Sequence, residues 1–239
     1  MASSAKDKGG SGTPQALGLG EAYSVKTPED NRRLYAEWAA TYESAFVVGE
    51  KYRYPEAIAE VFAELVPLNA IEMVVDIGTG TGLTGTYLSS LRTESVIDGI
   101  DISPEMLAQA SQKRRADGSL VYRELFERDL TKFVTTPNAP YDALICSGTF
   151  THGHLGPDAL DHILSLIRPG GWFVIGVNNE HFLGKGFKEK LHQLTNSEAI
   201  SEPDIRLIDV YEEGSAHFGD QASVVIFTKN LTFVSRRHH

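Results

Sequence analysis

The feature of this 239-residue chain that could do chemistry is the run from Val74 to Gly85, Val-Val-Asp-Ile-Gly-Thr-Gly-Thr-Gly-Leu-Thr-Gly. An apolar stretch ending in closely spaced glycines, Gly78, Gly80 and Gly82, gives a backbone that turns sharply and approaches a ligand that side chains would hold off. A helix starting there points its free amides at the ligand's polar end. Two ligands compete for the pattern. Gly80, Gly82 and Gly85 satisfy the Gly-x-Gly-x-x-Gly spacing of dinucleotide sites. Asp76 favours the other, because a carboxylate beside the strand end would meet the ammonium group of a methionine moiety but repel a pyrophosphate. Asp101 stands about 20 residues past the glycine turn, where a carboxylate accepts both hydroxyls of a ribose, and so it serves a nucleoside of either kind.

A second candidate is the loop Ser147-Gly148-Thr149-Phe150-Thr151-His152-Gly153-His154-Leu155-Gly156. Ligands in open α/β sheets lie outside the carboxyl ends of the strands, and this loop follows the fourth apolar run. His152 and His154 are candidates for a general base, since an unperturbed imidazole titrates near about 6.5. His154 is favoured because it lies further toward the open edge, although a histidine that merely packs its loop is the commoner case. A metal site would need a third ligand, and none is evident beside this His-Gly-His, so no metal is expected. Tyr23, ahead of the first helix, offers a phenol that could fold over the pocket as hydrogen-bond donor or relay base. Cys146 reads as a packed core thiol.

These residues need elements to position them. Apolar runs at Met73–Ile77, Val96–Asp101, Leu120–Leu125, Ala143–Ser147 and Trp172–Val177 read as strands buried on both faces, with helices at about Leu83–Leu91, Pro104–Arg114 and Pro157–Ile167. Strands alternating with helices imply a doubly wound α/β fold with a mainly parallel sheet. The chain then changes character: Ile205–Tyr211 and Ser223–Thr228 alternate and are joined through Gly214 and Gly219, which predicts a closing antiparallel hairpin. Before the sheet, Thr27 is placed to cap a helix that Pro28 opens, with Glu29 and Asp30 in its first turn. Leu34, Trp38, Tyr42 and Ala45 share its apolar face, and Pro55 opens a second helix. The aromatics Tyr23, Tyr35, Trp38 and Tyr42 are positioned to form a lid whose rings would face a sulfonium, Trp38 reading better as core.

Composition narrows the function. With 41% hydrophobic residues the chain can bury one sizeable core, which predicts a single domain at 21–235 with a helical lid at about 21–66. Met1–Gly20 is Gly, Ser, Ala and Lys with no apolar run and reads as a disordered leader, neither signal peptide nor membrane span. The terminal Arg236, Arg237, His238 and His239 are set aside. A net charge of −10 argues against a general field for nucleic acid and favours a small-molecule substrate. One cysteine permits no internal disulfide and suits a reducing, cytoplasmic setting.

The Val74–Gly85 segment resembles motif I of the class I, Rossmann-like S-adenosylmethionine-dependent methyltransferases. Asp98-Gly-Ile-Asp-Ile-Ser-Pro-Glu-Met-Leu-Ala-Gln-Ala110, Tyr141-Asp-Ala-Leu-Ile-Cys-Ser-Gly148 and Pro169-Gly170-Gly171 before Trp172–Val177 are similar to later segments of that family, so the resemblance runs from about Thr27 to Thr228. It implies S-adenosylmethionine as cofactor, held by Asp76, Gly78, Thr79, Gly80, Gly82 and Asp101, with Ile102 and Met106 as walls of an adenine slot. It further implies that Asp129-Leu130 faces the adenine amino group, and that Ser147 and Tyr42 border the cofactor. For Asp129 a simple helix cap, and for Ile102 and Met106 a core role, remain open. Tyr35–Tyr42 resembles the start of a methyltransferase-like subgroup related to the Williams–Beuren-region protein, in which the first helix closes over the cofactor.

Methyl transfer to a small molecule is the expected function, with a His or Tyr base. That base is most needed for carbon or phenol-like oxygen nucleophiles, so C-methylation of an electron-rich ring such as an indole is one option, and O- or N-methylation of a metabolite another. Protein methylation is less favoured, since no Asn/Asp-Pro-Pro-Tyr follows the fourth strand. An NAD(P)-linked oxidoreductase and a silent cofactor-binding module complete the alternatives.

Overall fold

The structure is a computed structural model, and it describes residues 27–39, 42–68, 73–151 and 153–231. The expected leader, Tyr23 and His152 lie outside the described residues. Thr27 caps α1 (Pro28–Trp38) as expected, its hydroxyl accepting the Asp30 amide at 3.1 Å. The predicted continuation of that helix to Ala45 is not observed: α1 ends at Trp38, and Tyr42–Val47 forms a separate π-helical turn. Helix α2 (Tyr54–Leu65) follows, with Pro55 in its first turn.

Next come β1 (Met73–Ile77), α3 (Leu83–Leu91), β2 (Val96–Asp101), α4 (Pro104–Ala110), β3 (Tyr122–Glu127), β4 (Tyr141–Phe150) and α5 (Ala159–Ile163), which ends in a 3-10 turn at Leu164–Leu166. The remaining elements are β5 (Ile167–Asn178), α6 (Asn179–Gly184), α7 (Phe187–Asn196), β6 (Asp204–Asp209) and β7 (Gln221–Thr228). Seven strands form one sheet in the order β3-β2-β1-β4-β5-β7-β6. The first five run parallel, while β7 pairs antiparallel with both β5 and β6, so the expected closing hairpin is present.

Alternation along each strand divides the core between the two faces of the sheet. Val75, Ile77, Leu144, Cys146 and Phe173 pack toward Ile163, Phe182, Phe187 and Leu191 of α5 to α7. Val74, Ile97, Ala143, Ile145 and Val174 face Ile58 and Phe62 of α2 and Leu88 of α3. Each such fully buried side chain contributes roughly 1.5–3 kcal/mol relative to exposure. Helix α7 contributes Phe187, Leu191 and Leu194 to this core.

Strand order reverses between β1, which leads outward to β2 and β3, and β4, which leads the other way. Loops leaving adjacent strands in opposite directions open a crevice at their carboxyl ends, and that is where a ligand fits.

Candidate active site

At the end of β1 the chain folds back on β2: the Gly78 and Thr79 amides both donate to the Ile100 carbonyl, at 2.7 and 3.1 Å. Gly78 has φ +65°, and a Cβ there would lie 1.7 Å from Thr149 Oγ1, so only glycine lets the loop pass under β4. Gly80, also left-handed, donates its amide to Asp101 Oδ2 at 2.8 Å, and Asp101 Oδ1 accepts the Ser103 amide at 2.9 Å. Asp101 therefore holds the glycine loop against the start of α4, and each oxygen keeps a further lone pair for a ligand. Burial raises its pKa from the ordinary value, opposed by those amides.

Two expected cofactor residues stand behind this loop and not in the cavity wall. Gly82 has φ +91°, and a Cβ there would press on Tyr122 and on Ala110 of α4 at 3.0 and 3.1 Å, while a Cβ at Gly85 would lie 2.2 Å from the Tyr122 hydroxyl, so Gly85 makes room for that ring. Tyr122 Oη accepts the Gly85 amide at 3.2 Å and donates to Asp76 Oδ2 at 2.7 Å. Asp76 is completely buried, and its second oxygen has no hydrogen-bond partner among the described residues. Burial pushes its carboxyl up to about 7. Buried behind the loop, Asp76 is not exposed to the cavity where an ammonium group would meet it.

The crevice is a cavity of about 270 Å³. Gly78, Thr79, Gly80 and Thr81 form its floor at β1, with Asp101, Ile102 and Met106 beside them. Arg128, Asp129, Leu130 and Thr131 close the β3 side. Asp129 serves as a local cap: Oδ1 accepts the Thr131 amide and hydroxyl at 2.9 and 2.6 Å, and Lys132 stands 3.2 Å from Oδ2. Burial raises its pKa, but the Thr131 and Lys132 contacts outweigh burial and hold the carboxyl below its ordinary value.

The opposite end has a different chemistry. Ser147, Thr149 and His154 come from β4 and its loop, Asn178 from the end of β5, and Val210 and Tyr211 from the end of β6. Over them lie Tyr35, Tyr42, Tyr52 and Tyr54 from the N-terminal elements. That layer is tied down by backbone bonds, Arg53 donating to Val210 and Glu212 to Lys51, both at 3.0 Å. Tyr52 and Tyr211 rings stand 5.4 Å apart, and burial, with the neighbouring tyrosines, pushes the Tyr52 hydroxyl well above its usual pKa.

His154 Nε2 and Tyr35 Oη are 3.1 Å apart, and the rings meet edge-on at 5.7 Å between centroids. The phenol beside the histidine is thus Tyr35, which the sequence suggested only as a lid residue. Sequence reasoning missed Thr81, Arg128, Thr149, Asn178, Tyr52, Tyr54 and Tyr211 as cavity residues. Thr149 and Asn178 were findable from their places at strand ends. Tyr52 and Tyr211 carry no local signal, because they meet through pairing between segments far apart in sequence. Among the described residues no group of three or more His, Cys, Asp or Glu could hold a metal ion, and no helix is long and apolar enough to cross a membrane.

A glycine loop at the β1 end, a carboxylate at the β2 end and a mainly parallel seven-stranded sheet with a reversed hairpin are the frame of a nucleoside-binding α/β protein. The family described as "Methyltransferase domain" matches residues 75–173. The "Putative O-methyltransferase" of Mycolicibacterium vanbaalenii is 33% identical over 178 residues, covering 73% of this chain and 77% of that protein. Among solved structures, an S-adenosylmethionine-dependent methyltransferase from Clostridium acetobutylicum superposes with a TM-score of 0.55 at 14% identity, covering 82% and 99% of the two chains. The O-methyltransferase TomG from Streptomyces achromogenes, involved in tomaymycin synthesis and solved with S-adenosylmethionine, gives 0.52 at 15% identity over 89% and 94%. The chain belongs to the class I S-adenosylmethionine-dependent methyltransferases, and its cofactor is S-adenosylmethionine rather than a dinucleotide.

Proposed function

We propose that the enzyme methylates a hydroxyl oxygen of a small, uncharged aromatic molecule, with His154 as general base. The observation that carries this reading is the Tyr35–His154 pair in the wall of the same cavity that holds the glycine loop and Asp101.

The residues present fit the cofactor. Glycine-loop backbone lies open to the cavity, Asp101 keeps lone pairs for ribose hydroxyls, and Ile102 and Met106 supply flat apolar walls. The hydroxyls of Thr81 and Ser147 line the cavity, are buried, and have no hydrogen-bond partner among the described residues, as expected of groups that a polar ligand satisfies. Bound there, S-adenosylmethionine supplies a methyl group already activated by its positive sulfur. The chain has three tasks left: to align the acceptor, to exclude water, and to take the acceptor's proton.

The distribution of charge selects the acceptor. Among the described cavity residues the charged side chains are Asp101, Arg128 and Asp129, all at the β2 and β3 end. Tyrosines, Asn178 and threonines line the rest. A carboxylate or ammonium acceptor would lose its water there without an opposite charge to replace it, at a cost of several kcal/mol. Flat tyrosine walls suit an aromatic ring, and a hydroxyl on it needs a base such as His154. Oxygen is also the acceptor atom named for the curated relative and for TomG. Carbon methylation of an indole would draw on the same base, but no observation favours it over oxygen.

A screen of phenols, indoles, amines and thiols with S-adenosylmethionine, read by product mass and site of methylation, tests this reading. Methylated phenols are expected. Turnover of amines or indoles with none of phenols would overturn it.

A further inference from the structure

Among the described residues, three side chains cap a helix by accepting a first-turn amide: Thr27 on α1, Ser103 on α4 and Asn178 on α6. A hydroxyl or a carboxylate caps as well as a carboxamide does. The carboxamide alone brings two further N–H donors on a second arm. At Asn178 the oxygen Oδ1 accepts the His181 amide at 3.1 Å, which turns Nδ2 away from α6, and Nδ2 donates to none of the described residues.

Asn178 is half-buried and borders the cavity at the end of β5. Its backbone is fixed by pairing with Ala222 of β7. On the other side β5 pairs with β4, where Phe150 meets Val177, so Asn178 stands beside Thr151 at the start of the His154 loop. Helix α6 reaches that loop a second time, His181 Nε2 donating to the Leu155 carbonyl at 3.0 Å. The carboxamide and the proposed base are thus held on one frame, both in the wall of the acceptor end.

We propose that Asn178 is a specificity-determining residue whose amide nitrogen donates to a second oxygen of the acceptor, so that the preferred substrate is a phenol that also carries a carbonyl or ether oxygen. The inference rests on the reading of the acceptor as a phenol methylated with His154 as base. An N–H that a bound aromatic ring shields from water stays unsatisfied unless the ring brings an acceptor of its own. A neutral amide favours an oxygen without a charge, in keeping with a cavity whose charged side chains lie at the β2 and β3 end.

The test uses the full chain saturated with S-adenosylhomocysteine and compares, by calorimetry, the binding of meta and para hydroxyacetophenone with that of the isopropylphenols of the same substitution. In the parent the ketone of at least one pair should bind roughly threefold to tenfold more tightly, as one neutral hydrogen bond provides. Asn178→Asp keeps an oxygen for the α6 cap and replaces the donor by an acceptor, so Tm should hold while the preference vanishes or reverses. Asn178→Ser also keeps a capping oxygen and removes the amide, and it should bind both members of each pair alike. Both ketones within about twofold of their alkyl partners in the parent would overturn the inference, and so would a preference that survives in either variant. Turnover of the same compounds reads the phenol acceptor separately. A ketone preference in binding without methyl transfer to oxygen removes that reading and leaves the amide site, whereas transfer to both members of each pair at equal kcat/KM removes the inference alone. Binding of none of these phenols removes both.

Discussion

Tyr122 donates its hydroxyl to the Asp76 carboxylate at 2.7 Å behind the glycine loop, and both side chains are buried. Desolvation dominates, and pushes Asp76 up to about 7 despite the Tyr122 bond. The unfolded carboxyl titrates near about 3.9, so the fold favours the neutral acid. Its stabilising contribution is complete below that unfolded value and is lost as pH rises through about 7. Asp101, also raised, acts in the same direction. Thermal unfolding of the ligand-free protein should therefore show Tm falling from about pH 4 to about pH 7 and levelling above it, with a shallower fall in Asp76→Asn. An equal slope in parent and variant would exclude Asp76 as its source.

Gly78→Ala places a methyl group where Thr149 already stands, on backbone with φ +65°. The left-handed conformation alone costs roughly 1–2 kcal/mol, and the overlap adds to it. Tm should drop by several degrees and S-adenosylmethionine affinity by more than about tenfold, since the displaced loop is the cofactor floor. Gly184→Ala, where a Cβ meets nothing, is the control and should leave both unchanged.

Asp101→Ala removes the acceptor of the Gly80 and Ser103 amides together with the proposed ribose contacts. Charge-assisted hydrogen bonds are worth about 1.5–3 kcal/mol, so S-adenosylmethionine and S-adenosylhomocysteine should each bind at least about tenfold more weakly by calorimetry. Unchanged binding of both would remove Asp101 from the site.

Cys146 is fully buried on β4, and burial pushes its thiol up to about 12. An aromatic disulfide reagent at about pH 8 should label the unfolded chain and spare the native one, because the thiolate is the reactive form. Rapid labelling of native protein would show that β4 opens.

The parallel half of the fold was legible because its signals are local. Met73–Ile77, Val96–Asp101 and Leu83–Leu91 have the predicted bounds, set by continuous apolar runs and a glycine turn. Bounds failed where distant pairing decides them. Trp172–Val177 extends back to Ile167 because the Pro-Gly-Gly segment, which reads as a turn, is stitched to Lys229 by two backbone bonds. Leu120–Leu125 shifts to Tyr122–Glu127, and Pro104–Arg114 stops at Ala110, because Arg114 turns back to bridge Leu120. Ala143–Ser147 lengthens to Tyr141–Phe150, Ile205–Tyr211 becomes Asp204–Asp209, Ser223–Thr228 begins at Gln221, and the helix expected over Pro157–Ile167 spans Ala159–Ile163. In the site, Asp101 and the loop glycines announce themselves by spacing. The Tyr35–His154 pair does not, since it joins residues 119 positions apart.

The proposed reaction is methyl transfer to a hydroxyl with His154 as base. It is tested most directly by incubating the protein and His154→Gln with label in the methyl group of S-adenosylmethionine and a panel of phenols, measuring labelled product and cofactor affinity together. Label is expected on phenolic oxygen, with turnover lower by roughly 10²–10⁴-fold in His154→Gln and cofactor affinity unchanged within about threefold. Label on no hydroxyl acceptor, or turnover in His154→Gln within about threefold of the parent, would contradict it.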